Sequence, residues 1–382
     1  MNIPQEFDDI RPFEPQELPK VYDRLLDNEQ FRAVLKYLYP NAPIEMIGEK
    51  MRQCATNLDF QKAFCYTFLQ DLLAKASTGC DMDVAAIDMQ RRYTFLSNHR
   101  DIVLDSALLD KLLIDAGCTT TCEIAIGDNL LSLPWVKDLV RINKSFIVER
   151  SLQPRQMLMA SKRLSEYMHF AISEKNENIW IAQREGRAKD SNDRTQDALL
   201  KMMAMGGEGS LVDRLLSLHI VPLAISYEYD PCDFLKAAEF QLKRDAPDWH
   251  KSAQDDVVSM RTGIMGYKGR IHYHCAPCID EWMRNLDPVL GKQMQLRLIA
   301  EHIDTEIHRN YMLFAGNYIA LDILEGGDRY ATMYDEKQKA MFVGYLHSQL
   351  AKIDIPQKDD DFLMERMLTM YANPARNFLA AQ

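Results

Sequence analysis

One short stretch, Ser97-Asn98-His99-Arg100-Asp101-Ile102-Val103-Leu104-Asp105, places a histidine and two carboxylates close together. Histidine is the side chain best suited to take up a proton near neutral pH. A carboxylate beside it fixes the imidazole tautomer and stabilises the imidazolium that forms. The chemistry this suggests is base-assisted attack by a substrate hydroxyl, with His99 as the base. Either Asp101 or Asp105 could hold the ring.

Two later stretches supply cations. They are Glu149-Arg150-Ser151 and Gln183-Arg184-Glu185-Gly186-Arg187-Ala188-Lys189. The planar guanidinium matches two oxygens of a phosphate or carboxylate at once. Arg150, Arg184, Arg187 and Lys189 are therefore candidates for holding an anionic acceptor. Gly186 allows a tight backbone turn among them. No Gly-x-Ser-x-Gly elbow is present, so a covalent intermediate is not indicated.

These residues need elements that bring them together. Strand-like runs occur at Tyr93–Leu96, Thr121–Ile126, Ser145–Val148, Ile179–Ala182 and His219–Ser226. Helical patterns lie between them at Ser106–Ala116, Leu133–Ile142, Pro154–Lys175 and Thr195–Met205. Pro134 and Pro154 suit first helical turns, and Gly117 suits a helix end. Such alternation predicts an α/β domain with a mainly parallel sheet flanked by helices. Ligands of such sheets bind beyond the carboxyl ends of the strands. His99, Arg150, Arg184 and Glu185 all follow strand ends and would meet on one edge.

The expected layout is a helical N-terminal region over 1–88, an α/β domain over 89–280 and a helical C-terminal region over 281–382. Phe60, Phe64 and Phe68 recur at helical spacing near the start, and a late strand is expected at Arg270–Cys275. The chain has 382 residues, 47% of them hydrophobic, which supports sizeable cores and argues against disorder. A net charge of -11 argues against general nucleic-acid binding. No run approaches the roughly 20 apolar residues that span a bilayer. The acidic start is unlike a signal peptide. A cytoplasmic protein with reduced thiols is expected from its 8 scattered cysteines.

The order of these blocks resembles the glycerol-3-phosphate and 1-acylglycerol-3-phosphate acyltransferase superfamily. The matching residues are Ser97-Asn98-His99-Arg100, Lys144-Ser145-Phe146-Ile147-Val148-Glu149-Arg150-Ser151, Arg184-Glu185-Gly186-Arg187 and Ile220-Val221-Pro222-Leu223. Gly127-Asp128-Asn129-Leu130 is similar to the segment this family places between its first two blocks. The resemblance covers about Tyr93 to Glu228. The chain departs from the pattern in three places. Five residues separate His99 from Asp105 instead of four, Lys144 replaces a glycine, and no threonine stands between Gly186 and Arg187.

The resemblance implies an O-acyltransferase in phospholipid synthesis. His99 would be the general base and Asp105 its partner, since Asp105 precedes a helix as the family's Asp does. Asp101 stays as the alternative. The acyl donor would be a thioester of coenzyme A or acyl carrier protein, and no other cofactor or metal is implied. Arg150 and Arg187 would contact the anionic group of glycerol 3-phosphate or its 1-acyl form. Glu185 and Gly186 would shape that pocket, and Pro222 would help wall the acyl site. Arg184 and Lys189 are further anion contacts suggested by charge alone. Peripheral contact with the inner face of the cell membrane is expected. The other readings are acylation of another small acceptor, such as an amino-acid lipid, and a non-catalytic helical partner-binding protein.

Several features have simpler readings. His272-Tyr273-His274-Cys275-Ala276-Pro277-Cys278 could supply zinc ligands, but its alternation reads as a strand. Gly206-Gly207-Glu208-Gly209-Ser210 lacks the ending of a phosphate loop and reads as a connection. Met157, Met159, Met202, Met203 and Met205 read as core filler, with a pliable acyl channel as the functional alternative. Ile303, Ile307, Tyr311, Leu313 and Phe314 in His302–Leu324 read as a packed stripe, with membrane contact as the alternative. Lys358-Asp359-Asp360-Asp361 reads as a helix start.

Overall fold

The computed structural model describes residues 3–131, 133–150 and 152–382, the side chain of Ala253 apart. Ser151, quoted above, lies outside the described residues. Seven strands form one sheet: β1 (Gly79–Asp83), β2 (Thr94–Ser97), β3 (Cys122–Gly127), β4 (Ser145–Val148), β5 (Asn178–Ala182), β6 (Ile220–Tyr227) and β7 (Arg270–Cys275). Their order is β1-β7-β6-β2-β5-β3-β4. The five strands from β6 to β4 run parallel, β7 is antiparallel to β6, and β1 is parallel to β7.

Successive side chains of a strand point to opposite faces, and here both faces are covered. Phe95, Trp180, Val221 and Leu223 pack with Leu108, Leu109 and Leu112 of the Leu104–Asp115 helix. Leu96, Ile181, Ile220 and Ala224 pack on the other side with Leu164, Tyr167, Ile299 and Ile303. Their helices are Pro154–Ser173 and Lys292–Arg309. This double burial is why β2 and β6 read as continuous apolar runs.

Each expected strand forms with ends within one residue of the expected ones. β1 is the exception, because it lies inside the segment read as wholly helical. Its sequence, Gly79-Cys80-Asp81-Met82-Asp83, is short, half-buried and polar on one face, so it carries little periodic signal. β7 is what makes it a strand: Asp81 and Asp83 sit in register with His272 and His274. His272 Nδ1 lies 2.5 Å from Asp81 and His274 Nδ1 lies 3.8 Å from Asp83, while Cys275 is buried in the core. His272, His274 and Cys275 are therefore part of β7, beside the edge strand β1, and Cys278 follows the strand, so the four do not form one cluster. All eight cysteines are free thiols.

The flanks are helical. Val21, Leu25, Phe31, Ile47 and Phe60 form an N-terminal core that reaches Ile142 of the α/β domain. Leu321, Phe342, Leu346, Leu363 and Met367 form a C-terminal one. Of the stripe in His302–Leu324, Ile303 and Ile307 pack from the Lys292–Arg309 helix, while Tyr311, Leu313 and Phe314 lie in the connection to the Ala315–Glu325 helix. The chain breaks between them where the Phe314 N–H donates to Asn317 Oδ1 at 2.8 Å. Asp359 caps the last helix by accepting the Phe362 N–H at 3.0 Å.

Candidate active site

β2 ends at Ser97, and Asn98 locks that end to β6. Its Nδ2 donates to Ile225 O at 2.9 Å and its Oδ1 accepts the Ile225 N–H at 2.8 Å. This is an extra ladder rung made by a fully buried side chain. The chain then turns sharply into the Leu104–Asp115 helix, and the turn is organised by the two carboxylates in different ways.

Asp105 faces His99. Its Oδ2 lies 2.8 Å from His99 Nδ1 and accepts the N–H groups of Arg100 at 2.6 Å and Asp101 at 3.0 Å. It is fully buried. A carboxylate on Nδ1 places the proton there and leaves the Nε2 lone pair free to act as a base. Asp101 does not touch the ring. Its Oδ1 accepts the N–H groups of Val103 and Leu104, both at 2.8 Å, so it holds the turn that carries Asp105. Burial, and then the Asp105 charge, push the Asp101 carboxyl up.

Gly263, in the Ala253–Met265 helix, is packed against Asp101. A Cβ there would stand 1.9 Å from Asp101 Oδ2. Gly263→Ala is expected to destabilise the protein by about 1–3 kcal/mol through this overpacking. A denaturant midpoint equal to wild type would show that the contact is easily relieved.

The ring of His99 is 14% exposed. One side is covered by Trp180 of β5, centroids 5.7 Å apart and planes at 70°. Trp180 is itself fixed by donating Nε1–H to Ser97 Oγ at 3.1 Å. Arg100 points away, into a buried pairing with Asp193 at 3.4 Å and towards Tyr311. Burial pushes the Asp193 carboxyl up, against the pull of the Arg100 cation.

His99 opens onto a cavity of about 740 Å³, within the size range of small-molecule sites. Its mouth is polar. Arg150, Arg184, Glu185, Gly186, Arg187 and Lys189 all line it, joined by Lys251 and Asp256 from the Ala253–Met265 helix and the loop before it. Arg150 is steered by Glu185 at 3.5 Å, and by its backbone N–H donating to Asp128 at 3.2 Å. Gly127 permits this crowding, since a Cβ there would lie 2.4 Å from Asn129 Oδ1 and 2.9 Å from Arg150 Nε. Gly186 has φ +66°, the left-handed conformation that favours glycine. Lys189 is engaged by Glu239 at 2.7 Å, and burial lowers its pKa. Arg187 Nη1 is buried and has no hydrogen-bond partner. The Arg187 side chain lines the cavity, and its charge also acts on the buried Asp101 and Asp230 carboxylates.

Another part of the cavity lining is apolar. Ile126, Val136, Val140, Ile147, Leu164 and Met202 line it between the edge of the sheet and the Pro134–Ile142 and Pro154–Ser173 helices. Met157 and Met202 are on this wall, so they fit the channel reading. Met203 is core, and Met159 is 68% exposed. Pro222 is a correction: it sits in the middle of β6, opposite Leu96 of β2, and is not among the cavity residues. Its carbonyl accepts the Ala276 N–H at 2.9 Å, so its place is in the sheet and not in an acyl-site wall. Trp180, Asn98, Asp193 and Lys251 belong to the site or its supports and were not singled out from sequence. Their roles depend on long-range packing, and only Asn98, beside the histidine, carried a local signal.

Residues 83–226 match a protein-family model described as Acyltransferase. No curated protein matches the chain. Among solved structures, the chain is similar to the crystal structure of the 1-acyl-sn-glycerophosphate (LPA) acyltransferase PlsC from Thermotoga maritima. That similarity has a TM-score of 0.37 and 10% sequence identity, over 75% of this chain and 94% of that one. The family match falls on the strands that carry the His99–Asp105 pair and Arg150, so residues 83–226 of the α/β core are similar to an acyltransferase domain.

Proposed function

We propose that the protein moves a fatty acyl group from a coenzyme A or acyl-carrier-protein thioester to the hydroxyl of glycerol 3-phosphate or 1-acylglycerol 3-phosphate. The observation that carries this is that His99 lines one cavity together with Arg150, Arg184 and Arg187 and with an apolar set that includes Ile126, Val136 and Val140. The acyl chain lies against the apolar set, and the acceptor's phosphate lies against Arg150 and Arg187, with Arg184 and Lys251 nearby. His99 Nε2 takes the proton from the acceptor hydroxyl as its oxygen attacks the thioester carbonyl. The tetrahedral intermediate then breaks its C–S bond. The leaving thiolate takes the proton back from the imidazolium, so the histidine ends as it began. Asp105 stays ionised and orients the ring throughout.

The acceptor side is tested by comparing glycerol 3-phosphate and 1-acylglycerol 3-phosphate with glycerol and an amino-acid lipid, using labelled acyl thioesters. Preference for the phosphorylated acceptors is expected. Arg187→Gln should raise the acceptor KM about 10–100-fold with a smaller change in kcat, the loss expected for a charge-assisted contact made in both ground and transition states. An unchanged KM would remove Arg187 from the acceptor site.

A lipid product must leave towards a bilayer, and the surface beside the cavity suits that. Leu133, Leu158 and Met159 are 41%, 63% and 68% exposed, next to the cavity residues Val136 and Met157. Lys137, Arg155 and Lys162 are exposed on the same two helices. In a chain of net charge -11 this local basic and apolar mixture supports peripheral contact with an anionic, cytoplasm-facing membrane surface. Among the described residues no helix is long and apolar enough to cross a membrane.

A further inference from the structure

At the sheet edge opposite His99, the residue before β6 and the turn after β7 bring three potential metal ligands together. One donor atom each from His219, Cys278 and Asp280 lies within 4.8 Å of the others. The acyl-transfer site uses none of them. Asp280 is only 5% exposed. Its Oδ1 is sealed from solvent and accepts no hydrogen bond, a costly state for a buried carboxylate oxygen.

The other oxygen, Oδ2, is 2.6 Å from His219 Nδ1. The same nitrogen is 3.3 Å from Arg91 Nη2. With Nδ1 protonated, His219 donates to Asp280 Oδ2, an oxygen that Arg91 Nη2 and Arg284 Nη2 also approach at 3.7 and 3.8 Å. A bound cation would take over the charge that these groups now balance. The Arg91 side chain is 49% exposed and pairs with Asp280 at 3.7 Å, so an ion bound there would displace it towards solvent.

We propose that His219, Cys278 and Asp280 form a structural binding site for one zinc-like divalent ion. Imidazole nitrogen, thiolate and carboxylate are zinc's ligand types, whereas magnesium and calcium take all-oxygen sites. The ligand atoms draw together to the roughly 3.3–3.8 Å edges of a tetrahedron with zinc-like bond lengths, and water takes the fourth corner. Burial pushes the Cys278 thiol up to about 12 without the ion, so binding releases its proton. The ion clips the start of β6 to the turn leading into the Asp280–Arg284 helix.

The test is calorimetric titration of metal-stripped full-length protein with zinc chloride, and separately with magnesium chloride. The expected result is one equivalent of zinc, no magnesium, and a melting temperature raised by about 3 °C at a hundredfold excess over Kd. His219→Ala and Cys278→Ala should each abolish the stoichiometric binding. Arg91→Ala should keep the stoichiometry and tighten it. The His272→Ala/His274→Ala double variant should bind as wild type. Cobalt bound to the wild-type protein should show a thiolate-to-metal charge-transfer band, a readout that needs no variant to fold. Substoichiometric zinc, binding unchanged in folded His219→Ala and Cys278→Ala, or cobalt without that band would each overturn the proposal.

Discussion

His99→Ala is expected to lower kcat by about 10²–10⁴-fold, the range supplied by a positioned general base. Among the described residues nothing replaces its Nε2 in the cavity: Trp180 covers one side of the ring, and the nearby cations are donors. The acceptor KM should change less, because the anion contacts at Arg150 and Arg187 survive. The fold should also survive. His99 is partly exposed at a strand end, and the turn beneath it is held by Asp101 and by the backbone N–H groups on Asp105. Circular dichroism like that of wild type, with kcat reduced, is the expected pair of results. An undiminished kcat would remove His99 as the base.

Asp105→Asn should cost comparably, and more than Asp101→Asn. An amide can accept the two backbone N–H groups, so the turn persists, but it holds no charge to orient Nδ1–H or to balance the imidazolium. If its NH₂ donates to Nδ1 instead, the ring is fixed in the wrong tautomer, with Nε2 protonated. In a related histidine–aspartate arrangement this type of change costs about 10⁴-fold. Asp101→Asn keeps an oxygen for the Val103 and Leu104 N–H groups and should mainly reduce stability. Measuring kcat for both variants decides between the partners, and a larger loss for Asp101→Asn would reverse the assignment.

The sheet was legible because its central strands are buried on both faces. Phe95, Leu96, Val221 and Leu223 must be apolar whichever way they point, and the turns after them carry the polar residues. His99, Arg150 and Arg184–Lys189 could be placed on one edge from topology alone, since parallel strands put their carboxyl ends together. The choice of Asp105 came from a resemblance, and the helix start it names is where the ring is met. What stayed hidden was set by contacts distant in sequence. β1 is a strand only because β7 pairs with it. Trp180, within the expected strand Ile179–Ala182, packs beside His99. Lys251, before a Ser252–Asp255 capping box, reaches the cavity from a loop distant in sequence. Pro222 went the other way: a residue of the matching block proved to be sheet interior.

The central claim is that this cavity transfers an acyl chain to a phosphorylated acceptor with His99 as base. Its most direct test is mass-spectrometric detection of the acylated product from a labelled acyl thioester and glycerol 3-phosphate or 1-acylglycerol 3-phosphate, with wild-type protein and His99→Ala side by side. The account predicts ester product accumulating with wild type and near background with the variant. Equal product from both, or none from wild type with either acceptor and either thioester carrier, would contradict it.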